Sequence, residues 1–370
     1  MTRISIMRTA LIIILVFSVC VVGTPLWLSL FDSAISSAAA AQQPADSGSN
    51  RTPTIRTPAT NDDSDDDADI ARMPRTTVSV NVDMVSLQAL VTDNNGNVLT
   101  GLGPENFTIY EDGVKQEITH FSPVEANVTV VMLVEFSKRI ELFLDDVYNA
   151  MYGFVRTLRP GDWTAVVGYD MRTTIFNDFT QDQQEIYKSL RQFVYPAWNE
   201  SNISDAVVET IDQTQELEGK TAILLIGSGL DTFSRHTYDQ ALDACKNANA
   251  SIYAIGIGRF ARDYLDARGY ISSSTNMDFL MGDNRLKTFA DYTGGAAWFP
   301  RYSTELPDIF NQISQSLRSQ YNLGYVSTNK KRDGKFRKLK VEVQTDLKDK
   351  KGKPLKLKIV TRKGYTAKNI

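Results

Sequence analysis

Residues 130–139 read Val130-Val131-Met132-Leu133-Val134-Glu135-Phe136-Ser137-Lys138-Arg139, an apolar run that changes abruptly into polar and charged side chains. Such a run is typical of a strand that is buried on both faces of a parallel sheet. The carboxyl ends of these strands are where open parallel sheets form ligand crevices. A second run, Ala222-Ile223-Leu224-Leu225-Ile226, has the same form and leads into Gly227-Ser228-Gly229-Leu230-Asp231-Thr232. The two runs therefore predict one polar loop face at the edge of a sheet.

The region from Asn127 onward alternates strand patterns with helix patterns. Apolar residues recur at helical spacing between Ile140 and Leu158, and Arg159-Pro160-Gly161-Asp162 ends that helix. Further strands are predicted at 163–169, 222–226, 251–257 and 296–299, and further helices at 181–194, at 203–217, at 238–249, before Gly294 and after the cap residue Thr304. Strands that alternate with helices form βαβ units, so we expect a doubly wound, mostly parallel, Rossmann-like sheet with helices on both faces.

The segment before this region has the period of β-strands. Residues 107–111 and 114–119 flank Asp112-Gly113, which is a strong signal for a two-residue hairpin. Strands are also predicted at 85–91 and, late in the chain, at 321–326, 338–343 and 355–360. We expect the late strands to rejoin the early ones. The predicted fold class is therefore an α/β domain with an additional small β-sandwich-like module formed by N-terminal and C-terminal strands.

The N-terminus has the features of an export signal. Arg3 and Arg8 precede an almost entirely apolar stretch over 9–23, and Ala38-Ala39-Ala40-Ala41 offers small residues for a signal peptidase. We expect a periplasmic or secreted protein. Extension of the apolar stretch to Phe31 leaves open an uncleaved anchor and membrane attachment through this segment. After cleavage Cys245 would be the remaining cysteine, so no intrachain disulfide is expected.

Charge is distributed unevenly along the 370 residues, although the formal net charge is only −4. Six Asp fall within the eight residues Asp62–Asp69, in a stretch rich in Pro, Ser and Thr that we interpret as a disordered linker. Residues 328–370 contain 16 Lys and Arg against 4 acidic residues. The basic strands could bind anionic lipid headgroups or a cell-surface polymer, or the lysines could simply solvate strands and discourage edge pairing. Nucleic acid is not an expected partner of an exported protein.

The domain organisation follows from these patterns. The predicted parts are a signal peptide or anchor over 1–41, the acidic linker over 42–75, the first part of the β module over 76–124, the α/β domain over 125–326 and basic strands that join the β module over 327–367.

The sequence offers little support for an enzyme. His120 falls in a strand pattern and His236 opens a helix, so no Ser-His-Asp arrangement is supported by spacing. Gly256-Ile257-Gly258 lacks the third glycine of a dinucleotide fingerprint, and we interpret it as backbone at the end of a strand. We therefore expect a protein without catalytic residues.

Taken together, the motifs resemble the von Willebrand factor type A (VWA)-related proteins described from acidobacteria. The resemblance rests on GLGPENFTIYEDGVKQEITHF, LRPGDWTAVVGYD, LLIGSGLDTFSRH, IYAIGIG, TGGAAWFPR and LRSQYNLGYVSTNKKRDGKFRKLKV, and it spans residues 77–365. It implies a VWA domain with a metal-ion-dependent adhesion site at the carboxyl edge of its sheet. In that family the site takes an Asp-x-Ser-x-Ser loop, a Thr from a second loop and an Asp from a third.

The present sequence departs from this pattern in each of the three loops. Mapped by position, the adhesion-site residues are Glu135, Ser137 and Arg139 in the first loop, Ser201 in the second (Asn202 after a one-residue shift), and Ser228 in the third, with Asp231 three residues further on. Arg139 removes a ligand and brings a permanent positive charge that would repel a nearby cation by several kcal/mol, on the order of 4 kcal/mol at moderate dielectric. Ser228 removes a negative charge. We therefore expect a degenerate adhesion site without metal or other cofactor.

The leading hypothesis is an exported, non-catalytic protein-binding module of the adhesion or assembly type. Its ligand-binding face would consist of Glu135, Ser137, Arg139, Ser201, Ser228 and Asp231, and its partner would be another envelope or extracellular protein. The alternative is a metal-dependent adhesion or assembly factor in which Glu135, Ser137, Ser201 and Asp231 hold Mg²⁺ or Ca²⁺; a hydrolase is a distant third. For Arg139 two hypotheses stand: its guanidinium fills the metal position and pairs with Glu135, or it begins a solvated helix face.

Overall fold

The computed structural model describes residues 84–94, 97–123, 127–192, 196–217, 219–270, 272–348 and 352–367. The expected signal peptide and the expected linker lie outside the described residues. In the described ranges, none of the helices combines the length and apolarity needed to cross a membrane.

The described secondary structure begins in the β module and returns to it. The strands are β1 (Met84–Asp93), β2 (Phe107–Glu111), β3 (Val114–Gln116), β4 (Ile118–Pro123), β5 (Val128–Glu135), β6 (Trp163–Tyr169), β7 (Thr173–Thr180), β8 (Lys220–Gly227), β9 (Ser251–Gly256), β10 (Ala297–Trp298), β11 (Gln320–Val326), β12 (Phe336–Val343), β13 (Leu357–Thr361) and β14 (Gly364–Thr366). The helices are α1 (Leu144–Val155), α2 (Gln183–Leu190), α3 (Ile203–Thr214), α4 (Tyr238–Asn247), α5 (Gly258–Asp266), α6 (Ser273–Thr293) and α7 (Leu306–Arg318).

A six-stranded sheet forms the centre of the α/β domain, in the order β10-β9-β8-β5-β6-β7. All its pairings are parallel except that of β7 with β6. Alternate residues of β5 pack on opposite faces of the sheet. Val130 and Met132 belong to a hydrophobic core formed with α1, α2 and α7. Val131 and Leu133 belong to a second core formed with α3, α4 and α6. Each such buried side chain contributes roughly 1.5–3 kcal/mol. The predicted doubly wound sheet is confirmed.

Three local features differ from the sequence predictions. β7 was not predicted, because as an edge strand it is only half-buried and its residues lack a long apolar run. α5 begins directly after β9, at Gly258, where we expected the backbone of a strand end. The cap assigned to Thr304 is wrong, because a 3-10 turn over Ser303–Glu305 precedes α7, although Pro307 does lie in the first turn of that helix.

The β module consists of two four-stranded sheets, in the orders β13-β1-β11-β4 and β14-β12-β2-β3. Their facing side chains, including Leu87, Ile109, Leu323 and Val341, form a separate hydrophobic core. The β2–β3 hairpin turns at Asp112 and Gly113 with φ values of 46° and 84°, the left-handed conformations that a type I′ turn requires. The late strands thus join the early ones in one sandwich, as predicted.

The α/β domain is inserted between two neighbouring strands of this sandwich. β11 pairs antiparallel with β4, so that Leu323 lies opposite Phe121 and Tyr321 lies opposite Pro123. The sequence interpretation placed residues up to 326 in the α/β domain, but α7 ends at Arg318 and the strand that follows belongs to the sandwich. The polypeptide therefore enters and leaves the α/β domain side by side.

A buried aspartate joins three segments at the edge of the sheet near this connection. Asp162, whose side chain is fully buried, accepts hydrogen bonds from the amides of Val128 (3.0 Å) and Arg159 (2.7 Å) and from Nη2 of Arg318 (2.6 Å). It thereby holds the start of β5, the turn before β6 and the end of α7 in one arrangement.

A buried lysine lies beside the same arginine. Lys220 donates from Nζ to the carbonyl oxygen of Leu317, and burial together with the charge of Arg318 lowers the pKa of Lys220 to about 7. In the unfolded chain a lysine titrates near 10.4. Between these two values the unfolded state binds more protons than the folded state, so the contribution of Lys220 to stability rises with pH and is constant below pH 7.

We expect this titration to appear as a pH-dependent effect of Lys220→Met. The free energy of unfolding of the variant should exceed that of the wild type by the largest amount at pH 6. At pH 9.5 this difference should be smaller by about 2–3 kcal/mol. Urea unfolding at both pH values measures it, with the exposed Lys188→Met as the matched control. A difference that does not change with pH would show that Lys220 stays protonated in the folded state.

Candidate functional site

The carboxyl end of β5 carries a fully buried carboxyl group, that of Glu135. Ser137 donates from Oγ to Oε1 at 2.6 Å. Ser228 donates to Oε2 twice, from its amide at 2.6 Å and from Oγ at 2.7 Å. Because β5 and β8 are parallel neighbours, their ends bring these residues to one place. We call Glu135, Ser137 and Ser228 the Glu135 cluster.

The protonation of this cluster is governed by its burial. Desolvation raises the pKa of Glu135 above its ordinary value, while the hydrogen bonds from Ser137 and Ser228 and the more distant charge of Arg139 oppose the rise. The phenol of Tyr169, also fully buried, has its pKa raised by burial and then by the charge of Glu135. The Glu135 cluster is thus a buried polar site below the loops.

Of the two hypotheses for Arg139, the structure contradicts the pairing of its guanidinium with Glu135. The Arg139 side chain is exposed, and its Nε donates to the carbonyl oxygen of Asn199 at 2.8 Å. Arg139 forms no ion pair with a residue in the described part of the chain. Both Glu135 oxygens already accept hydrogen bonds, and entry into the pocket would require the guanidinium to give up its hydration. Arg139 therefore belongs to the outer surface of the site.

The second and third loops pair with each other. The amide of Thr232 donates to the carbonyl oxygen of Ser201 at 2.8 Å, and Asn202 forms an antiparallel bridge with Asp231. Ser201 is fully buried and its hydroxyl has no hydrogen-bond partner among the described residues. The Asp231 carboxylate accepts from Oγ of Ser204 and from the amide of Ser234 at 3.3 Å. Asp231 is therefore engaged with the start of α3 and not with the Glu135 cluster.

These contacts test the divalent ion that the family resemblance implies. Mg²⁺ prefers several free oxygen ligands in octahedral geometry. Here the hydroxyls of Ser137 and Ser228 point their protons at Glu135, and the Asp231 carboxylate is used elsewhere. In the part of the chain that the structure describes, no three His, Cys, Asp or Glu side chains converge as metal ligands could. In this arrangement the carboxylates of Glu135 and Asp231 are both engaged in internal hydrogen bonds.

An aspartate on α3, Asp205, fixes the third loop. Asp205 accepts from the amides of Arg235 (3.0 Å) and His236 (2.8 Å), and it contacts Nδ1 of His236 at 2.7 Å. Burial alone would raise the pKa of Asp205, but the hydrogen bonds from Arg235 and His236 lower it overall. Nothing in residue spacing could have revealed this contact, because Asp205 and His236 lie on different elements.

Packing against α6 holds the loop after β8 from the other side. Gly229 has a φ of 73°, and a side chain on it would collide with the backbone of Gly282. Arg285 donates from Nη1 to the carbonyl oxygen of Gly229. The loop that carries Ser228 is thus fixed by both α3 and α6.

Three large apolar side chains are exposed around this face: Met171 (38%), Trp198 (46%) and Phe233 (68%). We call them the apolar rim. The amide of Lys138 donates to the carbonyl oxygen of Trp198 at 2.8 Å. Asn202 joins the other two, because its Oδ1 accepts from the amide of Phe233 at 2.9 Å and its Nδ2 donates to the carbonyl oxygen of Met171 at 3.1 Å. Sequence reasoning missed the rim.

Similar folds occur among solved structures, whereas no protein-family model and no curated protein matches the sequence. Proximal thread matrix protein 1 from the mussel byssus is 11% identical over 53% of this chain, with a TM-score of 0.41, and the match spans 50% of that chain. The vWF domain of the type V pili tip protein Mfa5 from Porphyromonas gingivalis is 14% identical over 53% of this chain and 96% of its own, with a TM-score of 0.41. A von Willebrand factor type A protein from Catenulispora acidiphila is 12% identical over 76% of this chain and 74% of its own, with a TM-score of 0.40.

Proposed function

We propose that this chain is an exported, non-catalytic VWA-type module that binds another envelope or extracellular protein without a metal ion. The observation that carries the proposal is the separation of buried and exposed groups at the carboxyl edge of the sheet. The acidic group of the site, Glu135, is buried and saturated by internal hydrogen bonds, whereas Arg139 and the apolar rim face solvent. What a partner would meet at this face is a cation and apolar side chains.

The composition of that surface supports protein recognition. Aromatic residues, Met and Arg are enriched at the centres of protein interfaces, and Trp and Arg often dominate the binding energy. The rim residues are also held by hydrogen bonds from their neighbours' backbones and from Asn202, so a partner would not need to order flexible loops first. A preorganised apolar rim on the same face as an exposed arginine supports an adhesion or assembly role more than catalysis.

The test places a photo-crosslinking amino acid at Phe233 in the full chain, and separately at Leu347, which is also exposed but lies in the β module. Irradiation in the native envelope should give a discrete conjugate from position 233 and none from position 347. Since the proposed site needs no ion, EDTA should leave the yield unchanged. A conjugate that disappears in EDTA and returns with Mg²⁺ or Ca²⁺ would support the metal-dependent alternative.

Once the partner is identified, Trp198→Ala should weaken binding by about thirtyfold, equivalent to about 2 kcal/mol, because it truncates an exposed aromatic anchor. The free energy of unfolding should change little, because the side chain is half exposed. Isothermal titration of wild type and variant measures the difference, with Leu347→Ala as the control. Equal affinity in all three proteins would contradict the placement of the interface on the rim.

A further inference from the structure

A lysine-rich face lies on the outer side of the β14-β12-β2-β3 sheet, away from the Glu135 cluster. Lys340 lies opposite Tyr110, and Tyr110 lies opposite Lys115, so the three share one face across three strands. Lys338 follows on the same face, two residues before Lys340 along β12. We call Lys115, Lys338 and Lys340 the lysine face. All three lysines are exposed.

Acidic residues of the folded domains neutralise this face only in part. Lys340 pairs with Glu342 at 2.6 Å. Lys115 and Lys338 have no ion pair with any residue in the described ranges. The nearby Asp112 instead approaches Arg337, which is buried. The exposed cations of the face are therefore available to an acidic ligand.

The α/β domain covers only one end of this face. Phe336 belongs to the same side of β12 and packs against Tyr292 of α6, with ring centroids 5.8 Å apart. Beyond that contact the face stays open and contains a shallow cavity of about 380 Å³ between Tyr110, Gly113 and the β12 residues 338–342. An extended segment could lie across it without displacing another element.

The chain itself supplies a ligand of opposite charge. Six Asp occur within Asp62–Asp69, and 83 residues precede the first described strand at Met84. The 15 residues from Asp69 to Met84 can span up to about 50 Å, which is longer than a small domain. Because the segment is covalently joined to β1 of the same sandwich, its effective concentration at the face is on the order of millimolar.

We propose that the acidic segment Asp62–Asp69 docks on the lysine face of its own chain and shields it from other polyanions. The attraction arises from charge complementarity: six carboxylates meet the exposed lysines 115, 338 and 340 and the basic residues that precede β12. Recognition is electrostatic and needs no fixed conformation of the aspartates. Because exposed charges are screened by salt, the contact should weaken strongly as ionic strength rises.

Carbodiimide crosslinking of the full chain tests this directly, because it joins an aspartate carboxyl to a lysine amine only when the two touch. Mass spectrometry should find links from Asp62–Asp69 concentrated on Lys115, Lys338 and Lys340 at 20 mM salt. Raising the salt to 0.5 M should reduce these links by about fivefold or more. Links spread evenly over all exposed lysines would overturn the proposal.

Matched variants make the assignment specific. A triple variant carries Lys115→Gln, Lys338→Gln and Lys340→Gln. Because it lacks the reactive amines as well as the charges, a loss of crosslinks would not be informative, and the binding of a competing acidic peptide is measured instead. A fluorescent poly-aspartate peptide should bind the triple variant no more tightly than it binds the wild type. By contrast, Asp62–Asp69→Ser in the otherwise wild-type chain should strengthen peptide binding by about tenfold, because the lysine face is released. The control triple Lys353→Gln, Lys356→Gln and Lys358→Gln, on or before β13, should leave the crosslinks unchanged.

Two other occupants give different results. If the segment of a second copy docked instead, a mixture of isotopically light and heavy chains would yield mixed crosslinks that increase with protein concentration. If an external polymer were the ligand, Asp62–Asp69→Ser would not change peptide affinity. Either outcome would overturn docking within one chain.

Discussion

Glu135→Ala is expected to lower the free energy of unfolding by about 3–5 kcal/mol, because it removes the acceptor of three buried hydrogen bonds and leaves a cavity. The Ser228 amide cannot turn away and would be left unpaired in a buried site, while the two serine hydroxyls could find other partners. The loops after β5 and β8 would lose their connection. Urea unfolding at pH 7 measures the loss.

Glu135→Gln is the matched control, since the amide oxygen can still accept from Ser228 and the amide nitrogen can donate to Ser137. It should change stability by no more than about 1 kcal/mol. Burial raises the pKa of Glu135, so its contribution to stability is fully present below the unfolded value of about 4.3 and is lost as the pH rises through the folded pKa. As the pH rises from 4 to 8, the free energy of unfolding of the Gln variant should therefore increase relative to that of the wild type. An Ala variant as stable as the Gln variant would show that the cluster does not hold the loops.

The second large effect is expected at Asp162. Asp162→Ala would leave the Val128 and Arg159 amides and the Arg318 guanidinium without their buried acceptor, at a cost of about 3–5 kcal/mol. Because these groups belong to β5, to the turn before β6 and to α7, the loss should reduce the cooperativity of the whole α/β domain. Thermal and urea unfolding followed by circular dichroism measure the change.

Lys287→Ala provides the contrast for this prediction, since the Lys287–Asp291 pair is as short, at 2.7 Å, but more than half of the Lys287 side chain is exposed. It should cost less than about 1 kcal/mol. The stability loss of Asp162→Asn should lie between those of Asp162→Ala and Lys287→Ala, because the asparagine keeps one acceptor oxygen but loses the charge. Equal costs for Asp162→Ala and Lys287→Ala would mean that Arg318 and the two amides find water in place of the carboxylate.

Much of the fold could be predicted because it depends on patterns that repeat over many residues. The apolar runs of β5 and β8 are long and bounded by polar loops, and the Asp112-Gly113 hairpin has a local turn chemistry of its own. β7 carries neither signal, since it is a half-buried edge strand. The start of α7 was misplaced because a 3-10 turn and a helix cap place similar residues at similar positions.

The candidate site could be predicted only at the level of strand ends. That Glu135 and Ser228 lie together follows from parallel pairing of β5 with β8, and the sequence was sufficient for it. The direction of Arg139 depends on a loop contact with Asn199 that no periodic pattern encodes. The apolar rim was missed for a related reason: single apolar residues within loops such as that of Trp198 look no different in sequence from residues that turn inward.

The insertion of the α/β domain between β4 and β11 has a consequence for the order in which the protein can be made. β1 pairs with β11, so that Met84 meets Val326 across 242 positions of sequence. Before residues 320–366 have been synthesised, β1–β4 lack the partners that complete both sheets. The α/β domain is complete in sequence by then, and its folding brings the ends of the insert together, which removes most of the loop-closure entropy of that long-range pairing. Folding of the inserted α/β domain thus lowers the entropic cost of completing the sandwich around it.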